Sequence, residues 1–441
     1  MDKQIKKGKF TKTEKSWIMY DWANSVYATN ISAVLFPIYF GMVCVKIGAD
    51  NLVLWSYGTS ISTLIVAVLA PILGSLADHK GFKKRLFLIF LMLGVTLTMT
   101  NAFFTDYRML LVGYVISHIG FAGSNLFYDS FLTDVTTDDR MDKVSSWGYA
   151  MGYIGGSTIP FIISIIILLA MGMDNPEAFK IIMLLTSVWW LVFSIPMLKN
   201  VKQVHYIETP VSGLVSSTFK GLAQTAKSIF SQKHLLLFIL AYFFYIDGVG
   251  TVISISTSYG SKLGLDSISM IFALLLTQIV AVPFSILFGK MSSKFGAIRM
   301  LIGAIGVYFL VCITGFIMGF LIESQPNNPD AKNISLVLFW TMAFLVGTVQ
   351  GGIQALSRSY FGKLIPKERS SEYFGFFDIF GKFAAVIGPI LIGVFSQITG
   401  RDSIGVLSLL ILFAIGGIIL IAGQHIFEKA EKKQISDTHI S

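Results

Sequence analysis

Hydrophobic residues along this chain fall into long blocks that short polar segments separate. Each block holds about 20 to 30 mostly apolar residues, which is long enough for an α-helix to cross the hydrocarbon core of a bilayer. The pattern predicts twelve membrane-spanning helices, at roughly residues 16–46, 52–77, 85–105, 108–134, 145–172, 178–198, 234–261, 266–291, 298–322, 333–360, 371–398 and 402–426. With 54% hydrophobic and only 13% charged residues, the chain is predicted to be an all-α integral membrane protein.

The positive charges are distributed unevenly between alternate loops. Of the 34 Lys and Arg residues, the loops on one side hold one each, namely Lys46, Arg108, Lys180, Lys262, Lys332 and Arg401. The other 28 lie on the opposite side, which the positive-inside rule assigns to the cytoplasm together with both termini. The net charge of +9 is therefore explained by membrane topology and contact with an anionic lipid leaflet, and no nucleic-acid partner is expected.

The two halves of the chain resemble each other weakly, which predicts two pseudo-symmetric six-helix bundles. The loop from Gly74 to Arg85 has the form G-x-L-A-D-x-x-G-x-K-K-R, and its two glycines recur, again seven residues apart, at Gly289 and Gly296. Such duplication is typical of transporters. The predicted organisation is a basic leader at 1–15, an N-terminal bundle at 16–200, a linker with an amphipathic helix at 201–233, a C-terminal bundle at 234–426 and a cytoplasmic tail at 427–441.

A carboxylate lies near the start of the first apolar block, in the stretch Tyr20-Asp21-Trp22-Ala23-Asn24-Ser25. The second half contains a partial counterpart, Tyr245-Ile246-Asp247-Gly248, near the start of the seventh block. An ionisable side chain at membrane depth is unfavourable and is a functional-site hypothesis by default. Asp21 and Asp247 are therefore the first candidates for a functional site.

Several stretches together resemble the major facilitator superfamily. The loop from Gly74 to Arg85 is similar to the hallmark loop between its second and third helices, whereas the second copy is degenerate because Ser293 stands where Asp78 would be. A narrower resemblance is to the vacuole-effluxer-like branch, also called the unknown major facilitator family. It rests on the stretch 20–25 and on 140–146, 148–156, 354–361 and 381–385, with Val26 standing where a small residue is expected.

This resemblance implies secondary active transport by alternating access, with helices one, four, seven and ten around the substrate. On those helices it implies a set of residues for substrate binding or coupling to a proton or sodium ion: Asp21, Asn24, Tyr128, Tyr245, Asp247, Thr251, Gln350, Gln354 and Arg358. Carboxylates suit an ammonium group, while Arg358 and the amides suit a carboxylate. A small zwitterion such as an amino acid is thus the predicted substrate, in keeping with the release of amino acids from the vacuole by eukaryotic members.

The depth of the two aspartates in the membrane separates their predicted roles. Asp247 lies roughly twelve residues into the seventh helix, near mid-depth, and is the better candidate for a transport carboxylate. Asp21 is shallower, and its alternatives are a cytoplasmic gate or an ion pair with Arg358 or Lys382. The remaining candidates are predicted to form a gate rather than a binding site: Asp78, Arg140, Asp129, Asp134, Gly74, Gly81, Lys84 and Arg85.

Other classes of function lack the motifs that they need. The residues after the four Gly-Lys dipeptides are Phe, Met, Leu and Phe, so no phosphate-binding loop of an ATP-driven pump is present. A nucleophile elbow and a zinc-binding helix motif are also missing, and we expect no enzyme activity, cofactor or metal. The lack of a long soluble domain and the positive-inside pattern are typical of a bacterial protein, so the plasma membrane is its expected location. We also expect a monomer. A multidrug or lipid exporter of the same fold, and a sensor or scaffold without transport, remain open alternatives.

Overall fold

The protein is described here by a computed structural model that covers residues 9–208, 214–326, 328–383 and 386–438. Within these residues the regular secondary structure is helical apart from one isolated β-bridge, between His79 and Ile207. The first six long helices are α1 (Lys12–Val45), α2 (Asn51–Ala77), α3 (Phe82–Asn101), α4 (Tyr107–Val135), α5 (Asp138–Met171) and α6 (Pro176–Asn200).

A shorter helix, α7 (Leu214–Ser231), precedes the second set of long helices. The next four are α8 (Lys233–Lys262), α9 (Ser267–Phe295), α10 (Ala297–Ser324) and α11 (Pro329–Leu364). The eleventh predicted span contains α12 (Ser370–Phe383) and α13 (Ile387–Thr399), and the twelfth contains α14 (Asp402–Leu407) and α15 (Leu410–Thr438). Over the described residues, eleven segments are long and apolar enough to cross a membrane, and of the twelve predicted spans the one at 85–105, which corresponds to α3, is not among them.

Four predicted spans differ from the structure. Helix α5 begins at Asp138 rather than at 145, because two aspartates fill its first turn, where negative charge is favourable. The eleventh span is two helices rather than one, since α12 ends at Phe383 and α13 starts at Ile387. Helix α15 continues to Thr438, well into the segment predicted as a polar tail. Helix α1 is interrupted by a π-helical turn over Ala28–Ala33, and hydropathy alone carries no signal for such a turn.

Local sequence explains the start of α1. The side chain of Thr11 accepts a hydrogen bond from the Glu14 N–H at 3.0 Å, and the Thr11 N–H donates to Glu14 Oε2 at 2.7 Å. This reciprocal pair satisfies two backbone donors that a helix start leaves unpaired. The first membrane helix therefore begins at a fixed residue, which sets the depth of Asp21 along it.

The described residues divide into two compact units. One contains those within Met1–Ala223 together with Ile365–Asp378, and the other those within Gln224–Leu364 together with Ile379–Ser441. The predicted domain limits at 200 and 234 stay predictions. The short segment Ile365–Asp378, predicted as part of the C-terminal bundle, is counted with the first unit because it packs there.

Glycines let α1 and α5 pack closely within the first unit. A Cβ on Gly155 would lie 1.7 Å from Cδ2 of Trp22, and one on Gly156 would lie 2.2 Å from Cβ of Ser25. Any larger residue at these two positions would push the helices apart. The contact surrounds a second π-helical segment, Gly152–Thr158, which lies in α5 just as Ala28–Ala33 lies in α1.

Candidate functional site

Asp21 lies in a buried polar cluster between α1 and α4. Its Oδ2 accepts a hydrogen bond from the Tyr128 hydroxyl at 2.7 Å, and Asp21 is 8% exposed. The ring of Tyr128 stacks on Trp17 with centroids 4.4 Å apart, while Trp17 Nε1 donates to the Tyr128 carbonyl at 2.8 Å. Two of the predicted site residues are therefore in direct contact, since the Tyr128 hydroxyl holds the Asp21 carboxylate in place.

A second polar pair lies one helical turn further along α1. Asn24 is buried, and its Nδ2 donates to Oδ1 of Asn125 at 2.6 Å. Beyond it, Asn30 is fully buried within the π-helical turn and donates to Ser164 at 3.0 Å and to Thr186 at 3.1 Å. Asn125 and Asn30 were not among the predicted site residues, although an amide inside an apolar block is a signal that could have identified both.

Asp247 occupies the middle of α8 and is 1% exposed. Its Oδ2 accepts the Ile387 N–H at 3.0 Å, and its Oδ1 accepts the Gly388 N–H at 3.0 Å. The hydroxyl of Thr251, one turn along α8, donates to the same Oδ1 at 3.2 Å. The carboxylate thus caps the start of α13, where unpaired N–H groups and the helix dipole favour a negative charge.

The other predicted residues of the second unit form local contacts on α8 and α11. Tyr245 shares a hydrogen bond of 2.6 Å with Ser357, and Gln354 Nε2 donates to the Gln350 carbonyl at 3.2 Å. Arg358 is buried on α11, at 4% exposure. The Asp21 cluster belongs to the first unit and the Asp247 cluster to the second, so each set is held together within its own unit.

Asp78, predicted as a gate residue, caps a helix in the same way as Asp247 does. Its Oδ1 accepts the Ser371 N–H at 2.8 Å and its Oδ2 accepts the Glu372 N–H at 2.9 Å. Both donors lie at the start of α12, in the segment that packs in the first unit. Asp78 is fully buried just beyond the end of α2, and this burial raises its pKa to about 7 despite the opposing effect of the Lys83 ammonium.

Two glycines make this contact with α12 possible. A Cβ on Gly74 would lie 2.3 Å from the Ser371 carbonyl oxygen, and one on Gly375 would lie 2.7 Å from the Ala70 carbonyl oxygen. The predicted turn residue Gly81 has φ of +80°, a left-handed conformation that glycine adopts without strain. Gly74 and Gly81 were predicted from the motif, whereas Gly375 lies outside it and was not.

The central cation of this region, Lys83, was not among the predicted site residues. Lys83 is wholly buried and its Nζ lies 2.8 Å from Oδ2 of Asp134, which is also wholly buried. The same Nζ donates to the Ser370 hydroxyl at 2.8 Å. The prediction had chosen the neighbours of Lys83 instead: Lys84 donates to the Val201 carbonyl at 2.9 Å, and Arg85 is exposed. Depth and charge alone do not tell which of three consecutive cations faces inward.

Asp134 also holds the segment that follows α6. Its Oδ1 accepts the N–H groups of Val204 and His205, both at 2.8 Å. The Ile207 N–H then donates to the Asp78 carbonyl at 2.8 Å. Residues 201–208, which we call the strap, are thereby hydrogen-bonded to Asp134 and to the loop between α2 and α3.

Arg140, another of the predicted gate residues, pairs with Glu14. Its Nε donates to Oε1 of Glu14 and its Nη2 to Oε2, each at 2.7 Å. This two-point geometry is the strongest form of an Arg–carboxylate contact. The ion pair therefore ties the start of α5 to the start of α1. Asp129 lies half-buried on α4, directly after Tyr128.

In the described part of the chain, no group of three or more His, Cys, Asp or Glu side chains is arranged to hold a metal ion. The polar groups of the site are hydrogen-bonded carboxylates, amides and hydroxyls in an apolar surrounding. Such groups can bind a polar solute or accept a proton.

Solved structures with the same fold are membrane transporters. The human organic anion transporter MFSD10 (TETRAN) matches 93% of this chain and 99% of its own, with a TM-score of 0.68 at 13% sequence identity. The proton:xylose symporter XylE, bound to 6-bromo-6-deoxy-D-glucose, matches 94% of each chain with a TM-score of 0.66 at 12% identity. These similarities confirm the predicted all-α fold of two six-helix bundles with twelve membrane helices.

Sequence comparisons give the family. Residues 53–139 and 133–425 match the family described as vacuole effluxer Atg22 like. The uncharacterized MFS-type transporter YxiO of Bacillus subtilis is 47% identical over 93% of this chain and 95% of its own. Autophagy-related protein 22 of Pichia angusta is 24% identical over 85% of this chain and 75% of its own. The chain therefore belongs to the vacuole effluxer Atg22-like family and is a multi-pass membrane transporter of the major facilitator type, not an enzyme.

Proposed function

We propose that this chain moves small zwitterionic solutes, with amino acids as the expected class, across the plasma membrane by alternating access and couples their movement to protons. The observation that carries the proposal is the Asp247 carboxylate, which lies in the middle of a membrane helix and caps α13. In this proposal Asp247 carries the coupling proton, while Asp21 and Tyr128 are the residues of the first unit that take part in binding the solute.

The hydrogen bonds of Asp247 link its charge to the position of α13. An ionised carboxylate accepts through both oxygens, whereas a protonated one turns one oxygen into a donor. Since Ile387 and Gly388 each donate to a different oxygen, protonation removes one of the two bonds to the helix. It also removes the negative charge that the N-terminus of α13 favours. A proton on Asp247 therefore changes how the start of α13 is held, which is the kind of link that proton coupling requires.

The buried polar groups favour a zwitterion over an apolar solute. The first unit buries the Asp21 carboxylate and the Asn24 amide, and the second unit, taken by itself, buries the Arg358 guanidinium and the Gln350 amide. A carboxylate is a partner for an ammonium group, and a guanidinium is a partner for a carboxylate. A multidrug or lipid exporter would be expected to use aromatic and apolar groups instead.

Transport by purified protein in liposomes tests the proposal. The probe is a panel of radiolabelled amino acids, measured both as net flux under a pH gradient and as exchange at equal pH. We expect Asp247→Asn to abolish the net flux while exchange continues, because an amide mimics the protonated carboxyl and cannot release a proton. Net flux that remains at the wild-type level in Asp247→Asn would contradict the role of Asp247.

Asp266→Asn is the matched control. Asp266 also caps a helix, accepting the Ser269 N–H at 2.7 Å, but it is exposed in the loop before α9. Its variant changes the same chemical group at a helix start without touching the buried cluster. We expect its net flux and exchange to equal those of the wild type, with both variants eluting as folded protein.

A further inference from the structure

A basic groove lies beside the loop between α2 and α3. It has a volume of about 410 Å³, and its polar wall consists of Lys80, Lys84, Arg85, Lys202, Gln203 and Tyr206. All of these residues lie in the first unit. Four cations thus face one groove, and none of its described lining residues is an Asp or Glu.

Contacts with the strap hold the floor of this basic groove in shape. The Gly81 N–H donates to Gln203 Oε1 at 2.9 Å, and Gln203 Nε2 donates to the Ala77 carbonyl at 3.0 Å. The ammonium of Lys84 is fixed by the Val201 carbonyl, which brings it next to Lys202 in the chain. Like charges are therefore held together by the backbone, and an anion between them would relieve their repulsion.

One carboxylate approaches the basic groove from outside its wall. Glu208 lies 3.4 Å from the Lys80 ammonium, and both side chains are well exposed, at 73% and 65%. An exposed pair of this kind contributes little. Because Glu208 pairs with Lys80 alone among the described residues, Lys84, Arg85 and Lys202 are the cations that an incoming anion would meet.

An apolar stripe continues from the basic groove along α3. Leu88, which lines the groove, is one helical turn beyond Lys84, and Met92 is one turn beyond Leu88. Ile89 stands in the same relation to Arg85. These three apolar side chains are 42% (Leu88), 40% (Met92) and 58% (Ile89) exposed, inside the span predicted to cross the membrane from residue 85. Cations followed directly by exposed aliphatic groups match a phosphate headgroup followed by acyl chains.

We propose that this basic groove binds the headgroup of an anionic phospholipid, with the acyl chains lying along Leu88, Ile89 and Met92. The positive-inside pattern places the site at the inner leaflet. The bound phosphate bridges Lys202 of the strap to Lys84 and Arg85 of α3, and so holds the strap against the loop that carries Asp78. The lipid is thereby a ligand of the transporter that is separate from its solute.

Native mass spectrometry of the full-length protein in detergent tests this site. Phosphatidylglycerol is titrated in one arm, phosphatidylcholine in a second, and glycerol 3-phosphate is added as a competitor in a third. We expect one saturable phosphatidylglycerol site, weaker binding of phosphatidylcholine and no displacement by glycerol 3-phosphate, which lacks acyl chains. Lys84→Gln/Arg85→Gln/Lys202→Gln should weaken phosphatidylglycerol binding by on the order of a hundredfold, and Lys202→Gln alone by about fivefold.

The matched control neutralises three cations in the corresponding loop of the second half, as Lys290→Gln/Lys294→Gln/Arg299→Gln. It has the same net charge as the groove variant, and we expect it to keep the wild-type affinity for phosphatidylglycerol. Equal losses in the two triple variants would overturn the site, and so would equal binding of phosphatidylcholine. Displacement by glycerol 3-phosphate would assign the groove to a soluble phosphate compound instead. Lys202 is exposed on the strap, so its single variant tests the site even if the triple variant unfolds.

Discussion

The carboxylate of Asp247 accepts the backbone N–H of Gly388 at 3.0 Å, although the two residues are 141 positions apart in the sequence. Gly388 is the second residue of α13, so a side chain from the middle of α8 satisfies the start of another membrane helix. An unpaired N–H in an apolar surrounding is unfavourable by several kcal/mol. The position of α13 therefore depends on the charge and the reach of Asp247.

The first prediction concerns the space at Gly388. A Cβ there would lie 2.1 Å from Thr251 Oγ1, which is closer than real contacts allow, and at a tight 3.0 Å from Asp247 Oδ1. Gly388→Ala should therefore displace the start of α13 and lower the free energy of unfolding by about 1 to 3 kcal/mol. The measurement is denaturant unfolding of the purified protein in mixed micelles, together with solute flux in liposomes, which should fall.

Gly393→Ala provides the comparison on the same helix. No atom lies within 4 Å of a Cβ placed there, so the substitution adds only the higher helix propensity of alanine. We expect it to leave flux unchanged and stability unchanged or slightly higher. If the two variants behave alike, the close packing around Gly388 has no role in holding α13.

Much of the fold follows from local pattern, whereas the partners of the buried charges do not. Long apolar blocks give the helices because the bilayer leaves few other ways to satisfy the backbone. Gly81 gives the turn between α2 and α3, since its φ of +80° suits glycine. The depth of Asp247 in its helix likewise follows from counting residues. These features depend only on neighbours in the sequence or on the thickness of the membrane.

The contacts that define the candidate site depend on tertiary packing. Lys83 pairs with Asp134 across 51 positions, and Arg140 with Glu14 across 126. Rotation of a helix about its axis decides which of three adjacent cations faces inward, and hydropathy does not report that rotation for a short charged run. For this reason the motif identified the right loop but selected Lys84 and Arg85 in place of Lys83.

The second prediction tests the buried pair of Lys83 and Asp134. Lys83→Met leaves a carboxylate without its cation at a site with no solvent exposure, which should lower the free energy of unfolding by about 3 to 5 kcal/mol. Lys83→Met/Asp134→Asn should recover most of this loss, because the amide oxygen still accepts from the strap and no charge remains. Denaturant unfolding of the single and double variants measures both values.

The exposed pair of Lys80 and Glu208 is the control for that experiment. Its side chains are 65% and 73% exposed, so Lys80→Met should change stability by only about 0 to 1 kcal/mol. If Lys83→Met/Asp134→Asn proves as unstable as Lys83→Met alone, then packing of the Lys83 stem, rather than the uncompensated charge, accounts for the loss.

The third prediction concerns pH and Asp78. Burial raises the pKa of Asp78 from 3.8 to about 7, so between these values the packed state holds a proton that an open or unfolded state releases. The stabilisation from this group is full below the lower value and is lost as the pH rises through the upper one. Although a protonated carboxyl loses one acceptor, removal of the buried charge outweighs that loss. Packing of α12 against α2 should therefore be firmer at pH 5.5 than at pH 8.

Hydrogen exchange of the Ser371 and Glu372 N–H groups measures this effect. After correction for the intrinsic rate, exchange in the wild type should be slower at the acidic pH. Asp78→Asn cannot titrate and should show the same corrected rate at both values. Asp142→Asn, which removes another buried carboxylate of the same unit, should keep the wild-type dependence. A pH dependence that persists in Asp78→Asn would assign it to a different group.

The fourth prediction concerns the Asp21 cluster and uses two tyrosines that differ in their partners. Tyr128 donates to a carboxylate oxygen at 2.7 Å, whereas Tyr27 shares a hydrogen bond of 2.8 Å with the neutral Ser117 hydroxyl. Both side chains are buried, at 1% and 0% exposure. Hydrogen bonds to charged groups contribute about 1.5 to 3 kcal/mol and neutral ones about 0.5 to 1.5 kcal/mol.

Tyr128→Phe should therefore lower the free energy of unfolding by more than Tyr27→Phe does, and it should also change transport. Without the hydroxyl, the Asp21 carboxylate loses a hydrogen-bond donor, so solute flux should fall in Tyr128→Phe and stay near the wild-type level in Tyr27→Phe. Flux in liposomes measures the difference, and Asp21→Asn/Tyr128→Phe should show no further loss beyond Asp21→Asn. Equal effects of the two tyrosine variants on stability and on flux would mean that the role of Asp21 does not depend on Tyr128, and Asp21 would then be an ordinary packing residue of α1.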